Sequence, residues 1–314
     1  MELTVDAPAP QDDDAGPHDQ AVVARRPPRS RPRRVPLPAQ VLAVIWVLAS
    51  IGGLAVWLLL YAYVLSGFGE ASAQHALYAE LRTDIAQGTA KLGGKIALGT
   101  PVALLKIPQA GVDDVVLEGT TSGVLEQGPG LEADSPLPGQ AGVSIIDGRQ
   151  ALFGGPFRHL SALRPGDVLQ VTTGAGIFEY RVMDLRYPGD PYPAQLPPGQ
   201  GRLTLVTVTS AGWRGGALRN EFLYVDTALI SRAVASPIGQ PTQIPKNQLL
   251  MQGDPSVLFV LVLWMQLLVI VVLTLVWVST RWAGWQTWLV GAPVVMAILW
   301  IASEAAFQLL PNLL

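Results

Sequence analysis

Few side chains in this sequence of 314 residues could carry covalent chemistry. The chain contains no cysteine, which excludes thiol nucleophiles, thiolate metal ligands and disulfides together. Its histidines are scattered and do not form a pattern of metal ligands: His18, His75 and His159. Hydroxyl groups cluster at the end of one apolar run, at Thr207, Thr209 and Ser210. A hydroxyl needs an adjacent base to become a useful nucleophile, so these residues alone do not predict an enzyme.

The element that positions these hydroxyls is the apolar run 202–208, which has the pattern of a buried central strand. It is rich in β-branched residues and follows a Gly- and Pro-containing turn at residues 197–201. Alternation along the strand points Thr207 and Thr209 to the face opposite Val208. Similar short runs, separated by Gly and Pro, extend from residue 101 to 230 and predict an all-β sandwich or barrel.

Composition and charge limit the class of protein. Half the residues are hydrophobic and 14% are charged, which is apolar for a soluble protein. The net charge of -3 gives no basis for binding nucleic acid.

The adjacent carboxylates Asp113 and Asp114 are assigned to a turn rather than a calcium site, because no further oxygen ligands cluster nearby. We therefore expect no metal and no cofactor. The high Ala, Gly, Pro and Arg content is typical of a GC-rich genome.

Three charge-free runs are each long enough to cross a bilayer at about 20 residues per span. The first follows an Arg cluster at residues 25–34, which reads either as a topology signal or as a site for anionic lipid or a cytoplasmic partner. The positive-inside rule places this tail in the cytoplasm and the β domain outside, and Arg281 between the last two spans fits that orientation. Glu304 is expected at the outer interface. Interfacial tryptophans are predicted at Trp282, Trp285 and Trp288.

The sequence thus predicts a multi-pass protein of the cell membrane with an extracytoplasmic domain. Its parts are a disordered cytoplasmic tail (1–36), a first transmembrane helix (39–66), a helical stalk (70–99), the β domain (100–231), a linker (232–254) and two further transmembrane helices (255–280 and 284–308). One face of the stalk helix is formed by Leu77, Leu81, Ile85 and Ala86.

Several blocks of the β domain occur in the order and spacing of one bacterial enzyme family. The blocks are VALLKIP at residues 102–108, VVLEGTT at 115–121, PGQAGVSII at 138–146, GRQALFGGPF at 148–157 and TLVTV at 204–208. The last two are similar to the family patterns G-H-R-D-T-H-G-x-P-F and T-L-x-T-C. Together the blocks resemble the sortases, transpeptidases that join surface proteins to the cell wall or to each other, and in particular the actinobacterial class E. The resemblance implies a closed β-barrel of seven or eight strands with short helices, on an anchor of three transmembrane helices.

The same resemblance puts unreactive residues at the family's catalytic positions. The position of the nucleophilic cysteine holds Val208, and that of the catalytic histidine holds Arg149. The family's catalytic arginine is matched best by Arg219, with Arg214 as the alternative. Val208 has no nucleophilic atom, and the guanidinium of Arg149 stays protonated and cannot act as a base. No catalytic residue is therefore expected at the matched positions.

Two functional hypotheses follow. In the first, the domain is a non-catalytic binding or scaffolding module of the cell envelope, and Arg149, Arg219 and Thr207 line a cleft for an anionic or sorting-signal-like peptide. The alternative for Arg149 is a pair with Asp147 or Glu179 at the surface. In the second hypothesis, the protein is an active transpeptidase with relocated catalytic residues, used for anchoring surface proteins. An open groove at the matched positions would favour binding there, and a collapsed groove would not.

The expected partners follow from the same features. They are the membrane, an envelope protein or peptide, and, through the last two helices, another membrane protein; nucleic acid is not expected.

Overall fold

The structure, a computed structural model, describes residues 39–210, 220–236, 244–281 and 284–313. The chain divides into two units, Met1–Ser50 and Ile51–Leu314. The first unit contains the beginning of the first helix, and every contact discussed below lies within the second. The predicted cytoplasmic tail lies outside the described residues, as do Arg214, Arg219 and Trp282.

Long apolar helices precede and follow the β domain. The α-helices described are α1 (Ala39–Leu60), α2 (Ser66–Gln87), α3 (Ser122–Leu125), α4 (Val257–Ser279) and α5 (Gly284–Phe307). A π-helical turn at Tyr61–Leu65 joins α1 to α2 without a break. Within the described residues, three helical stretches are long and apolar enough to cross a membrane: Val47–Gln87, Val257–Ser279 and Trp285–Phe307. Their length and composition agree with the three predicted spans.

The β domain is a closed barrel. The strands in the described part of the chain are β1 (Pro101–Ile107), β2 (Val112–Glu118), β3 (Gly130–Leu131), β4 (Gly142–Asp147), β5 (Val168–Thr173), β6 (Gly176–Arg186), β7 (Gly201–Ser210) and β8 (Asn220–Leu229). They follow one another around the barrel in the order β1-β2-β3-β4-β7-β8-β6-β5. The predicted closed barrel of seven or eight strands is confirmed, with eight strands in the described residues.

Strand β7 lies between β4 and β8 in the barrel and is buried on both faces. It pairs in parallel with β4 and antiparallel with β8. Leu203 and Leu205 belong to the core cluster inside the barrel, and Val206 and Val208 on the alternate face are also buried. Burial on both faces explains why this strand reads as a nearly continuous apolar run instead of an alternating one.

Two local expectations need correction. Asp113 and Asp114 lie in β2 and not in a turn, and Asp113 forms an ion pair of 3.2 Å with its register partner Lys106 on β1. The predicted stalk (70–99) is helical only as far as Gln87, where α2 ends. Gly88 ends it by adopting the left-handed conformation, with φ of 71°, that closes many helices.

Helix α2 packs on the barrel instead of standing apart from it. Leu77 and Leu81 are buried in a cluster with apolar residues of β1 and β2, whereas Ile85 and Ala86 remain exposed. The predicted apolar face of this helix is therefore shorter than expected. Leu77 and Leu81, the two buried residues of that face, hold the helix against the strands.

Gln74 on α2 bonds to β2 much as a neighbouring strand would. Its Oε1 accepts a hydrogen bond from Val115 N at 2.7 Å, and its Nε2 donates to Val115 O at 3.1 Å and to Gln127 O at 2.7 Å. Replacing Gln74 with Ala leaves these backbone groups without their partner, so we expect the free energy of unfolding to fall by about 1–3 kcal/mol. Denaturant unfolding of the full chain in detergent measures the loss. Gln87→Ala, an exposed change on the same helix, should have little effect, and equal losses in the two variants would contradict this role.

Candidate functional site

The parallel strands β4 and β7 bring two of the predicted site residues together. Asp147 on β4 is in register with Val206 on β7. Arg149 and Val208 each lie two residues farther along, just beyond the point where β4 ends and its pairing with β7 stops. We call this place the strand-end site. It is the position at which the sortase-like sequence blocks predicted the catalytic groups.

Arg149 is fully buried at the strand-end site, with an exposed fraction of 0%. Its Nη2 donates to the hydroxyl of Ser122 at 2.8 Å and to Ser122 O at 3.1 Å, and lies 3.8 Å from Oε1 of Glu126. The guanidinium carbon is 4.7 Å from the centre of the Phe153 ring. Burial lowers the pKa of Arg149 to about 10, with the charge of Glu126 opposing the shift, so the group is cationic at neutral pH.

These contacts differ from both expectations for Arg149. The side chain does not face an open cleft, and it does not pair with Asp147 or Glu179 at the surface. Its partner is Glu126, immediately after α3, and within the described residues its Nε and Nη1 have no hydrogen-bond partner. In the described structure Arg149 is therefore an internal cation, paired with Glu126 and with part of its donor set unsatisfied.

Glu126 is a weak partner for this cation at neutral pH. The carboxyl is 6% exposed, and burial raises its pKa to about 7, although Arg149 and a hydrogen bond from Gln308 both favour the charged form. Nε2 of Gln308 donates to Oε2 of Glu126 at 3.0 Å. Gln308, the first residue after α5, is thus connected through Glu126 to the strand-end site.

Val208 is covered by apolar side chains and is 1% exposed. It is buried in one cluster with Leu125 of α3 and Leu313, which follows α5; Leu250 packs against the same cluster. Directly across from Val208 on β8 lies Phe222. The groove is therefore closed at the strand-end site.

Thr207, another of the predicted ligand-binding residues, also lies in the interior of the protein. Its side chain is buried, and Oγ1 donates to Gly148 O at 2.8 Å. This bond connects the end of β7 to the chain leaving β4. The hydroxyl is therefore occupied by a backbone acceptor in the described structure.

Asp147 was considered in the sequence only as a partner for Arg149, but its environment is unusual in itself. The residue is 0% exposed, and neither carboxylate oxygen has a hydrogen-bond partner among the residues described. Burial raises the pKa of Asp147 well above its ordinary value, and the charge of Glu132 adds to the shift. Burial therefore favours the neutral form of this carboxyl. An acidic residue that ends an apolar run, VSIID at residues 143–147, is the sequence signal that could have drawn attention to it.

An open cavity of about 320 Å³ lies beside the closed site. Thr204 and Val206 of β7 line it, and alternation places them on the same face as Val208. The cavity therefore continues the groove away from the strand-end site. Leu250 lines the cavity and also packs against the cluster around Val208, so it lies at the boundary between the open and closed parts.

Two arginines that sequence reasoning missed line this cavity. Nε of Arg186 is 3.1 Å from Oδ2 of Asp226, and its guanidinium lies over the rings of Tyr192 and Tyr224 at 5.1 and 4.4 Å. Nη2 of Arg202 donates to a backbone carbonyl at 2.8 Å, while its Nε has no partner in the described part of the chain. The cavity thus has two arginines in its lining, together with the carboxylates of Glu132 and Asp226.

Comparison with known families identifies the domain. A family model described as the sortase domain matches residues 105–216. The chain carries a sortase domain. No curated protein matches it. Among solved sortase structures, the sortase D5 transpeptidase of Clostridium perfringens is 25% identical, with 51% of this chain and 99% of that chain covered at a TM-score of 0.43. Sortase E of Streptomyces avermitilis is 29% identical, with 43% and 91% covered at a TM-score of 0.36.

In the part of this sortase domain that the structure describes, no histidine takes part in the contacts given above for the strand-end site. His75 and His159 are both exposed, and His18 lies outside the described residues. Thr209 lies near the end of β7, and the side chain of Ser210 is outside the described set. Across the residues that the structure describes, no group of three or more His, Asp or Glu could hold a metal ion.

Proposed function

We propose that this protein is a membrane-anchored sortase-domain protein that works by binding in the cell envelope and not by transpeptidation. The observation that carries the proposal is the pair of residues at the strand-end site. Val208 supplies no nucleophile, and Arg149 supplies no base and is held inside by Ser122, Glu126 and Phe153. Acyl transfer by a sortase-type mechanism requires both groups.

The proposed orientation places the sortase domain outside the cytoplasm. The Arg-rich tail before the first helix and Arg281 between the last two helices support it, because positive residues flank spans on the cytoplasmic side. The composition supports an actinobacterial source. The closed strand-end site leaves the adjacent cavity as the binding surface.

The proposed ligand of that cavity is an anionic or peptide group of the envelope. Arg186 and Arg202 supply the cations, beside the carboxylates of Glu132 and Asp226 that line the same cavity. A guanidinium binds carboxylates and phosphates through paired hydrogen bonds, and Nε of Arg202 is unpaired among the described residues. Tyr192 and Tyr224 supply aromatic surface beside them. A scaffolding role fits this arrangement, because the ligand would be held without being cut.

The test of this proposal is a search for peptide cleavage and for a covalent intermediate. The full chain in detergent is incubated with sorting-signal peptides and examined by mass spectrometry. We expect no cleavage and no acyl adduct, either in the native protein or in Val208→Cys, because Arg149 still stands in place of the base. An adduct on the native protein would support the alternative of a transpeptidase with relocated residues, and the modified residue would identify the nucleophile. Cross-linked capture from native membranes, run in parallel, identifies the bound partner.

A further inference from the structure

The strand-end site is closed by a part of the chain that comes from the membrane anchor. The covering segment, residues 308–313, directly follows α5. Within it, Asn312 and Leu313 are both 0% exposed. Leu313 is buried against Val208 and Leu125. A residue 105 positions along the chain from Val208, by 313 − 208, therefore fills the place where the family's nucleophile would meet a substrate.

Backbone and amide hydrogen bonds hold the covering segment much as a groove holds a bound peptide. The carbonyl of Leu313 accepts from Gln150 N at 3.4 Å, one residue beyond Arg149. Nδ2 of Asn312 donates to Thr120 O at 2.8 Å and to Leu249 O at 3.1 Å. The leucine thus supplies an apolar anchor and the asparagine supplies directional bonds, which is a common division of roles in peptide recognition.

The covering segment is mechanically continuous with the membrane helices. Phe307, the last residue of α5, stacks on Tyr61 at 5.4 Å and meets the edge of Phe153 at 6.1 Å. Phe153 lies under the guanidinium of Arg149 and has a positive φ of 50°, which is rare for a bulky residue. A shift of α5 relative to the π-helical turn at Tyr61–Leu65 would therefore move the aromatic contacts and the covering segment together.

The closed arrangement leaves polar groups unsatisfied, which limits its stability. Oδ1 of Asn312 and Oε1 of Gln248 are buried and have no hydrogen-bond partner in the chain as described. Each such group costs free energy that it would recover in water. The contacts of the covering segment are thus partly offset, as expected for a segment that can leave its site.

We infer that the covering segment is a built-in occupant of the strand-end site, held there by α5 and released when α5 moves. This inference rests on the proposed binding function, because it states how the chain controls the length of its own groove. With the segment in place, only the cavity lined by Arg186 and Arg202 is open. With the segment withdrawn, the groove extends to Val208, Leu125 and the end of β4.

A single engineered thiol tests the inference, since the native chain has no cysteine. Val208→Cys in the full-length protein reports access to the strand-end site through its rate of reaction with a maleimide. Ile177→Cys, at a position 61% exposed, sets the rate for an open site. We expect the thiol at 208 to react at least about tenfold more slowly, because it reacts only after local opening. Equal rates for the two thiols would overturn the inference.

Releasing the covering segment should expose the same thiol. In the Val208→Cys background, Leu313→Asp places a charge in the apolar cluster and is expected to raise the labelling rate about tenfold. Leu310→Asp is the matched control, because Leu310 belongs to the same segment and is 37% exposed; it should leave the rate unchanged. An unchanged rate in the Leu313→Asp protein would overturn the inference.

General unfolding is separated from release by two further variants. Leu105→Cys, at a 0% exposed position in the barrel core, must stay protected when Leu313→Asp is present. If the thiol at position 105 also becomes reactive, Asn312→Ala replaces Leu313→Asp as the test. This variant removes two hydrogen bonds of the covering segment without adding a charge. A faster rate at position 208 with a protected position 105 then supports the inference, and an unchanged rate at position 208 overturns it.

A peptide in trans tests whether the site recognises the segment. A synthetic peptide with the sequence of residues 308–313, QLLPNL, at about 1 mM should restore protection to Val208→Cys in the Leu313→Asp protein, whereas the same peptide with Asn replaced by Ala should not. Failure to protect would overturn the assignment of the segment as the occupant. None of these readouts depends on an envelope ligand or on catalysis, so they can succeed or fail separately from the proposed function.

Discussion

Arg149→Met is expected to lower the free energy of unfolding by about 3–5 kcal/mol, the usual loss when one member of a buried ion pair is removed. The variant leaves Glu126 buried without its cation, and it removes the donor to the hydroxyl and carbonyl of Ser122. It also removes the cation from the face of the Phe153 ring. The loss should be larger at pH 8 than at pH 6, because the isolated Glu126 carboxyl can escape its charge only by binding a proton.

The matched control for this prediction is Arg158→Met. Arg158 lies nine residues later (158 − 149 = 9) and is exposed, with one hydrogen bond to a backbone carbonyl at 3.2 Å. Its replacement should change the free energy of unfolding by less than about 0.5 kcal/mol, as surface substitutions usually do. Chemical denaturation of the full chain in detergent gives both values. Similar small losses in the two variants would show that Arg149 is not the internal cation described here.

The barrel is expected to be more stable at pH 5 than at pH 8. Burial raises the pKa of Glu118, Glu126 and Glu132 from 4.5 to about 7. A carboxyl whose pKa is higher in the folded state binds its proton more tightly there. Its contribution is fully present below pH 4.5 and is lost as the pH rises through about 7. Asp147, whose pKa burial also raises, acts in the same direction.

We expect the free energy of unfolding to fall by at least about 2 kcal/mol between pH 5 and pH 8, since each unit of pKa shift corresponds to about 1.4 kcal/mol. Unfolding curves measured at intervals of pH provide the test. Glu118→Gln removes one of the titrating carboxyls, so the free energy of unfolding should fall less between pH 5 and pH 8 in this variant. A stability that is constant or rises over this range would show that these carboxyls are not buried as described.

The barrel and the apolar helices could be predicted from the sequence because their signals are local. Alternating and β-branched runs such as residues 203–208 predict strands wherever they occur, and a charge-free run of more than 20 residues predicts a span in any context. The sortase-like blocks implied a closed barrel, which the strands form, but the order of the strands around it was not predicted. The same blocks placed Arg149 and Val208 together, and the register of β4 with β7 agrees with that placement.

The environments of these residues could not be predicted, because they depend on contacts between distant parts of the chain. Nothing near Arg149 in the sequence indicates that Glu126 is its partner or that it is fully buried. The two arginines of the cavity, Arg186 and Arg202, come from different strands and share that cavity only after the barrel closes.

The sequence by itself determined which atoms are available: no thiol, no histidine at the matched position, a strand pattern for the barrel and three apolar helices. Only the tertiary structure decided what those positions do. It buried Arg149 as an internal cation beside Glu126, and it filled the space over Val208 with Leu313 from the far end of α5. The physical reason is that burial and pairing depend on which surfaces meet in three dimensions, and a one-dimensional pattern does not contain that information.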